Sequence, residues 1–564
     1  MLMRNLFGER LRSKPAEATL VSHVFLLRGG YIRNVGSGIY SLLTPAVKVQ
    51  TKLEKIIRKE MEKVGGQEVS LPVVVPADLW KQSGRFESVG SELLRLKDRT
   101  DRDMVLSMTH EEPAVHLAKT EAKSYLDYPF MIYQIQTKFR DEPRARGGLI
   151  RVREFKMKDA YSFHTNQEDL EKYYDEVYKA YVRIFERAGL KNVVAICSDT
   201  GMMGGNKAHE FMLLSECGED SIVLCDKCGY KANMEVAISE LDKEDSAEDP
   251  LKKVHTPGLK TIDEVAEFFN TEARKVIKAV AFDVEGADKP LIVFIRGDLQ
   301  VNEAKLKNHI KSNVKELNNL AQFGLIEGFI GPDISLKEKC DVVFDKSLEN
   351  EMSMICGAND KDYHYSGFSM CRDININEFC DVSKVKPGQR CKFCGGDLRI
   401  ERGIEVGNIF QLGTKYTESM KMTYIDQDGK AKTPIMGCYG IGIGRLLACI
   451  VEESHDDFGP IWPKNVAPWQ IHICALNAKS DEVREKSTEL YKELSKSYEV
   501  IFDDRNLSAG AQFADADLLG VPVRIVVSKR NIANNQFEVI LRSTRESKLM
   551  NYEKLMQFLK EFYS

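Results

Sequence analysis

The chain has 564 residues, of which 43% are hydrophobic and 29% are charged, and its formal net charge is -5. This length suits three or four domains of about 150 residues, and the small net charge excludes a protein that is basic throughout, although not one with a local basic groove. No apolar run approaches the ~18 residues that a membrane helix requires, and residues 1–18 lack the apolar core of a signal peptide. We therefore expect a cytoplasmic protein without membrane segments, whose thirteen cysteines are thiols or metal ligands rather than disulfides.

The first half of the chain contains two predicted amphipathic helices, over residues 51–64 and 168–188. Between them, "GGQEVSLPVVVP" predicts a turn and then a strand, which Pro72 confines to the edge of a sheet or to an interface. The apolar stripes of the two helices consist of Leu53, Ile56, Ile57, Met61 and Val64, and of Leu170, Tyr174, Val177, Tyr181 and Phe185.

The most densely charged stretch, "FRDEPRARGGLIRVREFKMKDAYSFH", lies between these helices at residues 139–164. Its alternation of charged and large side chains predicts two strands, Phe139–Arg146 and Leu149–Met157. The glycine pair Gly147-Gly148 predicts the turn that joins them.

On the second of these strands, Arg151 and Arg153 would share one face with Phe155. A solvated charged surface is the alternative interpretation, and most charge runs are of that kind. Planar guanidinium groups projecting from a sheet, however, are suited to bidentate binding of phosphate or carboxylate. We therefore favour an anion-binding site here.

The second half of the chain alternates helical and strand patterns over residues 262–382 and again over the last ~100 residues, which predicts two α/β domains. Between them, "IMGCYGIGIGRLLACIVEE" predicts a glycine-rich strand that runs into a helix. Its Gly440-x-Gly442-x-Gly444 spacing does not match a dinucleotide-binding fingerprint, and no G-x-x-x-x-G-K-[ST] phosphate loop occurs. Arg445, at the start of the helix, could instead stack on a purine or reach a phosphate.

Taken together, these segments resemble the class II aminoacyl-tRNA synthetases. "GGQEVSLPVV" resembles motif 1 of that class, residues 139–164 resemble motif 2, and residues 437–447 resemble motif 3. With "SMTHEE" at 107–112, "GIEVGNIFQLGTKYTESM" and an insertion between motifs 2 and 3, nearly the whole chain is similar to the bacterial-type prolyl-tRNA synthetases. Class I signatures of the HIGH and KMSKS type are absent.

The resemblance implies an α+β fold with a class II antiparallel-sheet catalytic domain, in two parts at 1–224 and 396–465. It further implies an inserted α/β editing domain at 225–395 and a C-terminal α/β anticodon-binding domain at 466–564. The implied activity is activation of proline with ATP and Mg²⁺, followed by transfer of the prolyl group to tRNA(Pro). Motif 1 builds a two-fold interface in this class, so we expect a homodimer.

The resemblance also implies roles for individual residues. Arg140, Arg151 and Arg445 would be catalytic, with Arg140 bridging the α-phosphate and the amino acid carboxylate. The residues implied in ATP binding are Arg140, Glu142, Arg151, Gln411, Thr414 and Arg445, and those implied in proline binding are Thr109, Glu111, Arg140, Phe155 and His209. The chain departs from the usual family pattern at Ala145, Gly147, Ala208 and Asn408, which concerns details of the motif 2 loop and the proline pocket rather than the reaction.

A physical argument supports a second activity in the insertion. A pocket that admits proline also admits alanine, because the missing methylenes cost a smaller competitor only ~1–3 kcal/mol. The insertion resembles the editing domain that hydrolyses Ala-tRNA(Pro) in bacterial prolyl-tRNA synthetases. By that resemblance Lys278 orients the tRNA end, while the G-x-x-x-P loop Gly328–Pro332 and His364 shape a pocket for alanine but not proline.

Four cysteines flank the insertion as two C-x-x-C pairs, Cys225 with Cys228 and Cys391 with Cys394, and each pair is followed by glycine. Four cysteines at this spacing satisfy a tetrahedral structural zinc ion. We expect one zinc ion to join the two ends of the insertion, with four ordinary thiols as the alternative.

Three other functions fit part of the pattern. A catalytically inactive, synthetase-like binding protein would usually have lost a motif arginine, whereas Arg140, Arg151 and Arg445 are all present. A free-standing deacylase would use the insertion alone. A ligase for threonine would use zinc in the amino acid pocket, and no suitable His/Cys set lies near Thr109 in the sequence.

Overall fold

The computed structural model describes residues 1–205, 207–242, 247–374, 376 and 378–564. The chain forms two compact units. The first comprises Met1–Ala195, Thr200–Glu219 and Gly403–Ser564, and the second comprises Ile196–Asp199 and Asp220–Arg402. Helices and strands are mixed in both, as the predicted α+β fold requires. Within the described residues no helix is both long enough and apolar enough to cross a membrane.

The first unit is built on a mostly antiparallel sheet, here called the central sheet. Six of its strands, which pair in this order, are Lys207–Leu214, Leu398–Gly413, Ile435–Gly442, Glu154–His164, Phe130–Phe139 and Gly66–Glu68. Val193–Ser198 is a further strand of the same sheet. The last of the six strands, Gly66–Glu68, pairs in parallel and lies at the edge of the sheet. It ends before Pro72, so the predicted edge position is found in the strand that precedes the proline and not in one that contains it.

The two faces of the central sheet differ. Tyr181, Ile409 and Tyr439 pack on one face with the long helices, and this is here called the helix face. Tyr161, Phe410 and Cys438 lie on the other, here called the pocket face. The helices that accompany the sheet are Val21–Arg28, Thr44–Lys63, Ala77–Gln82, Arg85–Ser88, Glu111–Glu121, Gln167–Ala188, Lys415–Ser419 and Ile443–Glu453.

The two predicted amphipathic helices are confirmed as Thr44–Lys63 and Gln167–Ala188. Their apolar stripes are buried on the helix face, as the 3.6-residue period requires. Asn166 caps the second helix by accepting a hydrogen bond from the Asp169 N–H, and Gly189 ends it with a φ of +93°, a left-handed conformation that favours glycine.

The predicted strands at the charged stretch were wrong in their boundaries. The hairpin consists of Phe130–Phe139 and Glu154–His164, with Phe139 paired to Glu154, and residues 140–153 form the connecting loop. Charged and large residues alternate in this loop because it is anchored at intervals by ion pairs and backbone contacts, not because it is a strand. The turn at Gly147-Gly148 is confirmed, with φ values of +69° and +63°.

Four small strand groups complete the part of the first unit outside the C-terminal domain. They are Ile32–Gly36 with Ile39–Leu42; Val74–Pro76, Asp103–Leu106 and Arg95–Lys97; Tyr424–Ile425 with Ala431–Lys432; and His455–Asp456 with Gly459–Pro460.

The last hundred residues form the predicted α/β domain around a five-stranded sheet with its own apolar core. The strand order is Val500–Asp503, Ile471–Ala475, Val523–Val527, Phe537–Leu541 and Ser547–Met550, and the first three strands are parallel. Its helices are Asp481–Leu494, Ala509–Leu519, Lys529–Ala533 and Tyr552–Tyr563.

The second unit is also α/β, as predicted. One sheet has the order Val314–Glu316, Ile277–Val284, Leu291–Arg296 and Asp341–Phe344, and another has the order Lys252–His255, Tyr363–Phe368 and Met354–Gly357. The hairpin Asp220–Cys225 with Lys231–Asn233 and the helices Ile262–Phe268 and Glu303–Ile310 complete it.

Candidate active site

The hairpin of the central sheet delivers Arg140 to the pocket face. Arg140 follows the strand Phe130–Phe139, and its backbone N–H donates to the Arg153 carbonyl at 2.8 Å. Its side-chain Nε donates to the Met108 carbonyl at 3.3 Å, and its guanidinium lies 5.2 Å from the ring centre of Phe155. Burial lowers the pKa of Arg140, which nevertheless stays cationic at any physiological pH. The result is a fixed positive charge beside the loop that carries Thr109.

Arg445 supplies a second cation next to the first. It lies in the first turn of the helix Ile443–Glu453, where its Nε donates to the Ile150 carbonyl at 2.9 Å and its Nη1 lies 2.9 Å from Glu405 Oε2. Glu405 also accepts from Asn408 Nδ2 at 2.7 Å. After burial, the largest electrostatic influences on the pKa of Arg140 come from Glu405, which raises it, and Arg445, which lowers it. Arg140, Glu405 and Arg445 therefore form one group of interacting charges.

The loop of the hairpin is held by ion pairs. Arg151 donates to Glu142 Oε1 at 2.7 Å and to Glu219 Oε2 at 2.8 Å, while Arg146 reaches the other oxygen of Glu219 at 2.5 Å. The hydrogen bond that Arg151 donates to Glu142 is the main cause that raises the pKa of Arg151. These contacts hold Arg151 and Glu142 together on the same side of the loop.

At the other end of the pocket, Glu111 presents a fully buried carboxylate. Thr109 Oγ1 lies 2.9 and 2.7 Å from its two oxygens, and the Cys438 thiol lies 3.3 Å from Oε1. Arg85 Nη1 lies 3.1 Å from Oε2. A carboxylate is seldom buried without such partners, and it is the type of group that binds a protonated amine.

A buried network fixes the loop that carries Thr109 and Glu111. Lys138 Nζ lies 2.8 Å from Asp159 Oδ1, and the Tyr161 hydroxyl donates to Asp159 Oδ2 at 2.8 Å. The same hydroxyl accepts from the backbone N–H of His110 at 2.9 Å. Burial is the main cause that lowers the pKa of His110 to about 4, so its ring is neutral at physiological pH. These contacts hold the loop that carries Thr109 and Glu111 against the central sheet.

Not every residue expected in the pocket lies on the pocket face. His209 contacts Tyr174 and Tyr178 on the helix face, with its Nδ1 at 2.8 Å from the Tyr174 hydroxyl. Gln411 is also turned away from Phe410 and accepts from Gln167 Nε2 at 3.0 Å. Thr414 follows the end of its strand, and its hydroxyl donates to Glu418. Neighbouring strand residues point to opposite faces, and this separates His209 and Gln411 from Arg140, Phe155, Thr109, Glu111 and Arg445.

In the second unit, His364 is buried and its Nδ1 lies 2.7 Å from Thr256 Oγ1. Its ring centre is 5.3 Å from that of Phe329, within the loop Gly328–Pro332. Burial lowers the pKa of His364. The histidine and the loop therefore share one site.

Lys278 lies on the strand Ile277–Val284, and its Nζ donates to the Leu299 carbonyl. Burial lowers its pKa, which Asp298 raises and Lys386 lowers further. Its neighbour Ile277 belongs to the same core cluster as Ile330 of the loop, so Lys278 itself projects to the opposite face of the strand.

The two C-x-x-C pairs come together in the second unit. Cys225 Sγ is 3.5 Å from Cys394 Sγ, Cys228 Sγ is 3.7 Å from Cys391 Sγ, and all four sulfurs lie within 4.8 Å of one another. A tetrahedral zinc with Zn–S bonds of ~2.3 Å requires S···S separations of roughly 3.8 Å, whereas a disulfide requires about 2.05 Å. The donor set therefore fits a metal ion and not a disulfide.

Sequence reasoning missed three contributors to these sites. Glu405 and Arg85 are single charged residues whose partners are distant in sequence, so no local signal identifies them. Asn359 exchanges two hydrogen bonds of 3.0 Å with the backbone of Gly331, and only its position in a turn after a strand could have drawn notice. The contacts of all three residues form only when the chain folds.

Comparison with known proteins agrees with this geometry. Residues 94–454 match the tRNA synthetase class II core domain of the G, H, P, S and T enzymes, and residues 470–562 match an anticodon binding domain. The chain is 44% identical to a proline–tRNA ligase of Halothermothrix orenii, covering 100% of this chain and 99% of that protein. It is also 44% identical to a proline–tRNA ligase of Bacillus subtilis, covering 97% of this chain and 98% of that protein.

A solved structure of similar fold is that of prolyl-tRNA synthetase from Cryptosporidium parvum, complexed with halofuginone and AMPPNP. It superposes with a TM-score of 0.59 at 14% identity, covering 99% of this chain and 80% of that chain. At this identity the likeness concerns the fold alone. The full-length relatives and the two matched domains together decide the family: the chain belongs to the prolyl-tRNA synthetases, the proline–tRNA ligase family of class II aminoacyl-tRNA synthetases.

Proposed function

We propose that this protein activates proline with ATP to prolyl-adenylate and transfers the prolyl group to the 3′ end of tRNA(Pro). The observation that carries the proposal is the pairing of a buried carboxylate, Glu111, with the neighbouring cation Arg140 on the same face of the central sheet. An amino acid has one positive and one negative end, and this pocket offers a partner for each.

In the activation step, a carboxylate oxygen of proline attacks the α-phosphorus of ATP. The new oxygen–phosphorus bond makes prolyl-adenylate, and the bond to pyrophosphate breaks so that pyrophosphate leaves. Two anions must approach each other, so fixed cations that neutralise the developing charge lower the barrier. Arg140 would bridge the carboxylate and the α-phosphate, and Arg445 would cover the adenine and reach the γ-phosphate. Thr109 and Phe155 would complete the proline pocket.

The remaining family residues take supporting roles in this proposal. Arg151 would assist at the phosphates and Glu142 would contact the adenine edge, which their mutual hydrogen bond of 2.7 Å prepares. Thr414 and Gln411 would contribute to ATP binding and His209 to proline binding. Gln411 and His209 would have to do so from the helix face.

Magnesium enters with ATP, and the donor set fits it. Glu405 and Asn408 present side-chain oxygens near Arg445, and oxygen atoms are the ligands that Mg²⁺ prefers. When bound, the ion would neutralise phosphate charge. Releasing Glu405 from Arg445 would at the same time free that guanidinium for the nucleotide.

The deciding experiment is amino-acid-dependent ATP–pyrophosphate exchange with all standard amino acids. We expect exchange with proline, and we expect Arg140→Ala or Arg445→Ala to lose about 3 kcal/mol of transition-state stabilisation, roughly a 150-fold fall in kcat/KM. Arg183→Ala, which removes an arginine on the helix Gln167–Ala188, is the control and should remain near the parent. Near-normal exchange in either pocket variant would contradict the roles proposed for Arg140 and Arg445. Exchange with threonine alone would show that the substrate is threonine and not proline.

We propose further that the insertion, residues 225–395, hydrolyses Ala-tRNA(Pro). Discrimination between proline and alanine by binding alone is limited to ~1–3 kcal/mol, which leaves a need for a second site. The buried site formed by His364 and the loop Gly328–Pro332 supports a pocket for the small side chain. Lys278, whose pKa is lowered by burial, would orient the tRNA end from the opposite face of the strand.

Deacylation of Ala-tRNA carrying the proline anticodon tests this second activity. Lys278→Ala should abolish clearance and leave proline-dependent exchange intact, whereas the exposed Lys315→Ala serves as a matched control. If Lys278→Ala clears Ala-tRNA at the parental rate, the role of Lys278 is wrong. If removal of the insertion also leaves clearance unchanged, the editing activity itself is wrong.

We also propose that Cys225, Cys228, Cys391 and Cys394 bind one structural zinc ion, because their sulfur separations match tetrahedral coordination. Protein purified without chelator should contain about one zinc per chain. Cys391→Ser should lose it, and the exposed Cys371→Ser should keep it. Metal-free parent protein of normal stability would end the proposal.

Finally, we propose a homodimer that binds tRNA(Pro) through the C-terminal domain. The edge strand Gly66–Glu68, which precedes Pro72, leaves one side of the central sheet available for a two-fold partner. Sedimentation at micromolar concentration should give a dimer. A fully active monomer would contradict the proposal.

A further inference from the structure

Beside the proposed proline pocket lies a buried cluster of three charged residues, Arg85, Glu111 and Glu112. Glu111 and Glu112 begin the helix Glu111–Glu121, and neither has any exposed surface. Arg85 is 2% exposed. Glutamate and arginine are almost never buried to this degree unless they are paired, so the cluster must be judged as a unit.

Arg85 is shared between the two carboxylates. Its Nη1 lies 3.1 Å from Glu111 Oε2 and 3.2 Å from Glu112 Oε1. Its guanidinium is held between aromatic rings, 4.7 Å from the centre of Trp80 and 5.4 Å from that of Tyr416. A flat cation held in this way cannot move to serve one carboxylate alone.

The two carboxylates differ in their remaining partners. Glu112 accepts from the Ser83 hydroxyl at 2.8 Å, away from the pocket. Glu111 instead meets Thr109 and Cys438, the residues that line the proposed amine site. Glu112 therefore has no hydrogen-bond partner of its own in the pocket among these contacts, and it is joined to Glu111 through the arginine that both share.

With both carboxylates ionised, one guanidinium and two carboxylates sum to a single negative charge. The nearby Lys138 and Asp159 form a neutral pair at 2.8 Å, and Lys415 is exposed, so that its charge is screened by solvent. Arg140 also interacts with Glu111, and it is the cation assigned above to the substrate carboxylate. Burial raises the pKa of Glu112, an effect that Arg85 opposes and Glu111 reinforces. A positive amine entering beside Glu111 would favour the fully ionised cluster.

We propose that Arg85 and Glu112 are positioning residues that determine the specificity of the pocket for a protonated secondary amine, by leaving one unit of negative charge on the cluster at Glu111. This inference rests on the proposed function, since it presumes that Glu111 receives the imino group of proline. Arg85 orients Glu111, and Glu112 neutralises part of the positive charge of Arg85. Without Glu112, Arg85 would neutralise Glu111 completely.

The test compares proline with cyclopentanecarboxylate, a ring of the same size that lacks the charged nitrogen. KM for proline and the inhibition constant of cyclopentanecarboxylate are measured in pyrophosphate exchange, together with KM for ATP. Their ratio reports selection of the positive charge, and it does not depend on the fraction of active protein. The variants are Glu112→Gln, the conservative Glu112→Asp, and the double variant Arg85→Met with Glu112→Gln.

Glu112→Gln should reduce the preference for proline at least tenfold with KM for ATP unchanged, because the remaining Arg85–Glu111 pair is neutral. Glu112→Asp should retain most of the preference, and the double variant should recover it to within about threefold of the parent, because Glu111 is again negative. Glu60→Gln replaces an equally buried carboxylate on the helix Thr44–Lys63 and should leave the ratio unchanged.

An unchanged ratio in Glu112→Gln, or a double variant worse than Glu112→Gln, would overturn the proposal and reduce Arg85 to a structural role. Failure of the proposed function would look different, because the parent itself would then show no proline-dependent exchange.

Discussion

Gly331→Ala is expected to inactivate the proposed editing site selectively. Gly331 lies in the loop Gly328–Pro332, and its backbone packs directly on Gly357 of the strand Met354–Gly357. A methyl group at position 331 would overlap the carbonyl oxygen and carbon of Gly357, both of them backbone atoms that cannot rotate away. The loop must therefore separate from the strand.

The cost follows from the contacts that this separation breaks. Asn359 joins the two segments by donating to the Gly331 carbonyl and accepting from the Gly331 N–H, each at 3.0 Å. Two such hydrogen bonds contribute about 1 kcal/mol each, so the displaced loop should be disfavoured in its active position by about 2 kcal/mol. Deacylation of Ala-tRNA carrying the proline anticodon should then fall about 30-fold or more.

Two measurements check this expectation. Deacylation is compared with proline-dependent pyrophosphate exchange, which should not change, and hydrogen exchange of the loop should increase. Gly510→Ala is the control, because a methyl group there meets nothing within 4 Å. Parental deacylation by Gly331→Ala, with the loop equally protected, would refute the view that this close approach positions the site.

Two predictions concern the stability of the first unit. Burial alone would raise the pKa of Glu60, but hydrogen bonds from Lys63, Arg183 and Arg187 lower it to about 2. The ionised carboxylate therefore stabilises the folded state by at most about 3 kcal/mol, and by less than this because the two arginines are partly exposed. This contribution is fully present above pH ~4.5 and is lost as the pH falls towards 2. In calorimetric unfolding, the advantage of the parent over Glu60→Gln should shrink between pH 5 and pH 3, and a constant difference would contradict the assigned pairing. Tyr31→Phe should destabilise by about 1–3 kcal/mol, because it leaves a buried Trp462 donor and a buried Leu519 carbonyl, each 2.7 Å from the hydroxyl, without a partner; an unchanged denaturation midpoint would show that these groups find other partners.

Much of this protein could be predicted from local sequence. The apolar stripes of Thr44–Lys63 and Gln167–Ala188 repeat at the helical period, so their buried faces are determined by neighbours three and four residues apart. The turn at Gly147-Gly148 requires positive φ values, which glycine adopts at little cost. The order of the family motifs likewise predicted Arg140, Glu111 and Arg445 as site residues without coordinates.

The hairpin shows where local reasoning fails. Residues 140–153 alternate as a strand would, yet they form a loop because Arg151 and Arg146 are bound by Glu142 and Glu219. Nothing in the alternation itself distinguishes a side chain that points away from a sheet from one that is held by a carboxylate 68 residues further along the chain. Only the tertiary structure decides between them.

The face on which a strand residue lies was also decided by the tertiary structure. In the strand pair Lys207–Leu214 with Leu398–Gly413, which contains a register shift between Phe211 and Met212, Glu405 reaches Arg445 whereas His209 and Gln411 lie on the helix face. A shift of one residue in the register reverses the face of every side chain beyond it. The place of such a shift depends on how the two strands pair, which the sequence of one strand alone does not reveal.

Long-range pairs complete the contrast. The sequence by itself determined that two C-x-x-C turns exist, but the fold alone brings Cys225 within 3.5 Å of Cys394, 169 residues away. It likewise places Arg85 between Glu111 and Glu112, a contact that no spacing predicts. Local periodicity and turn chemistry act between neighbours and can be read from the chain, whereas the partners of buried charges and thiols depend on how distant segments pack, which is a property of the whole folded structure.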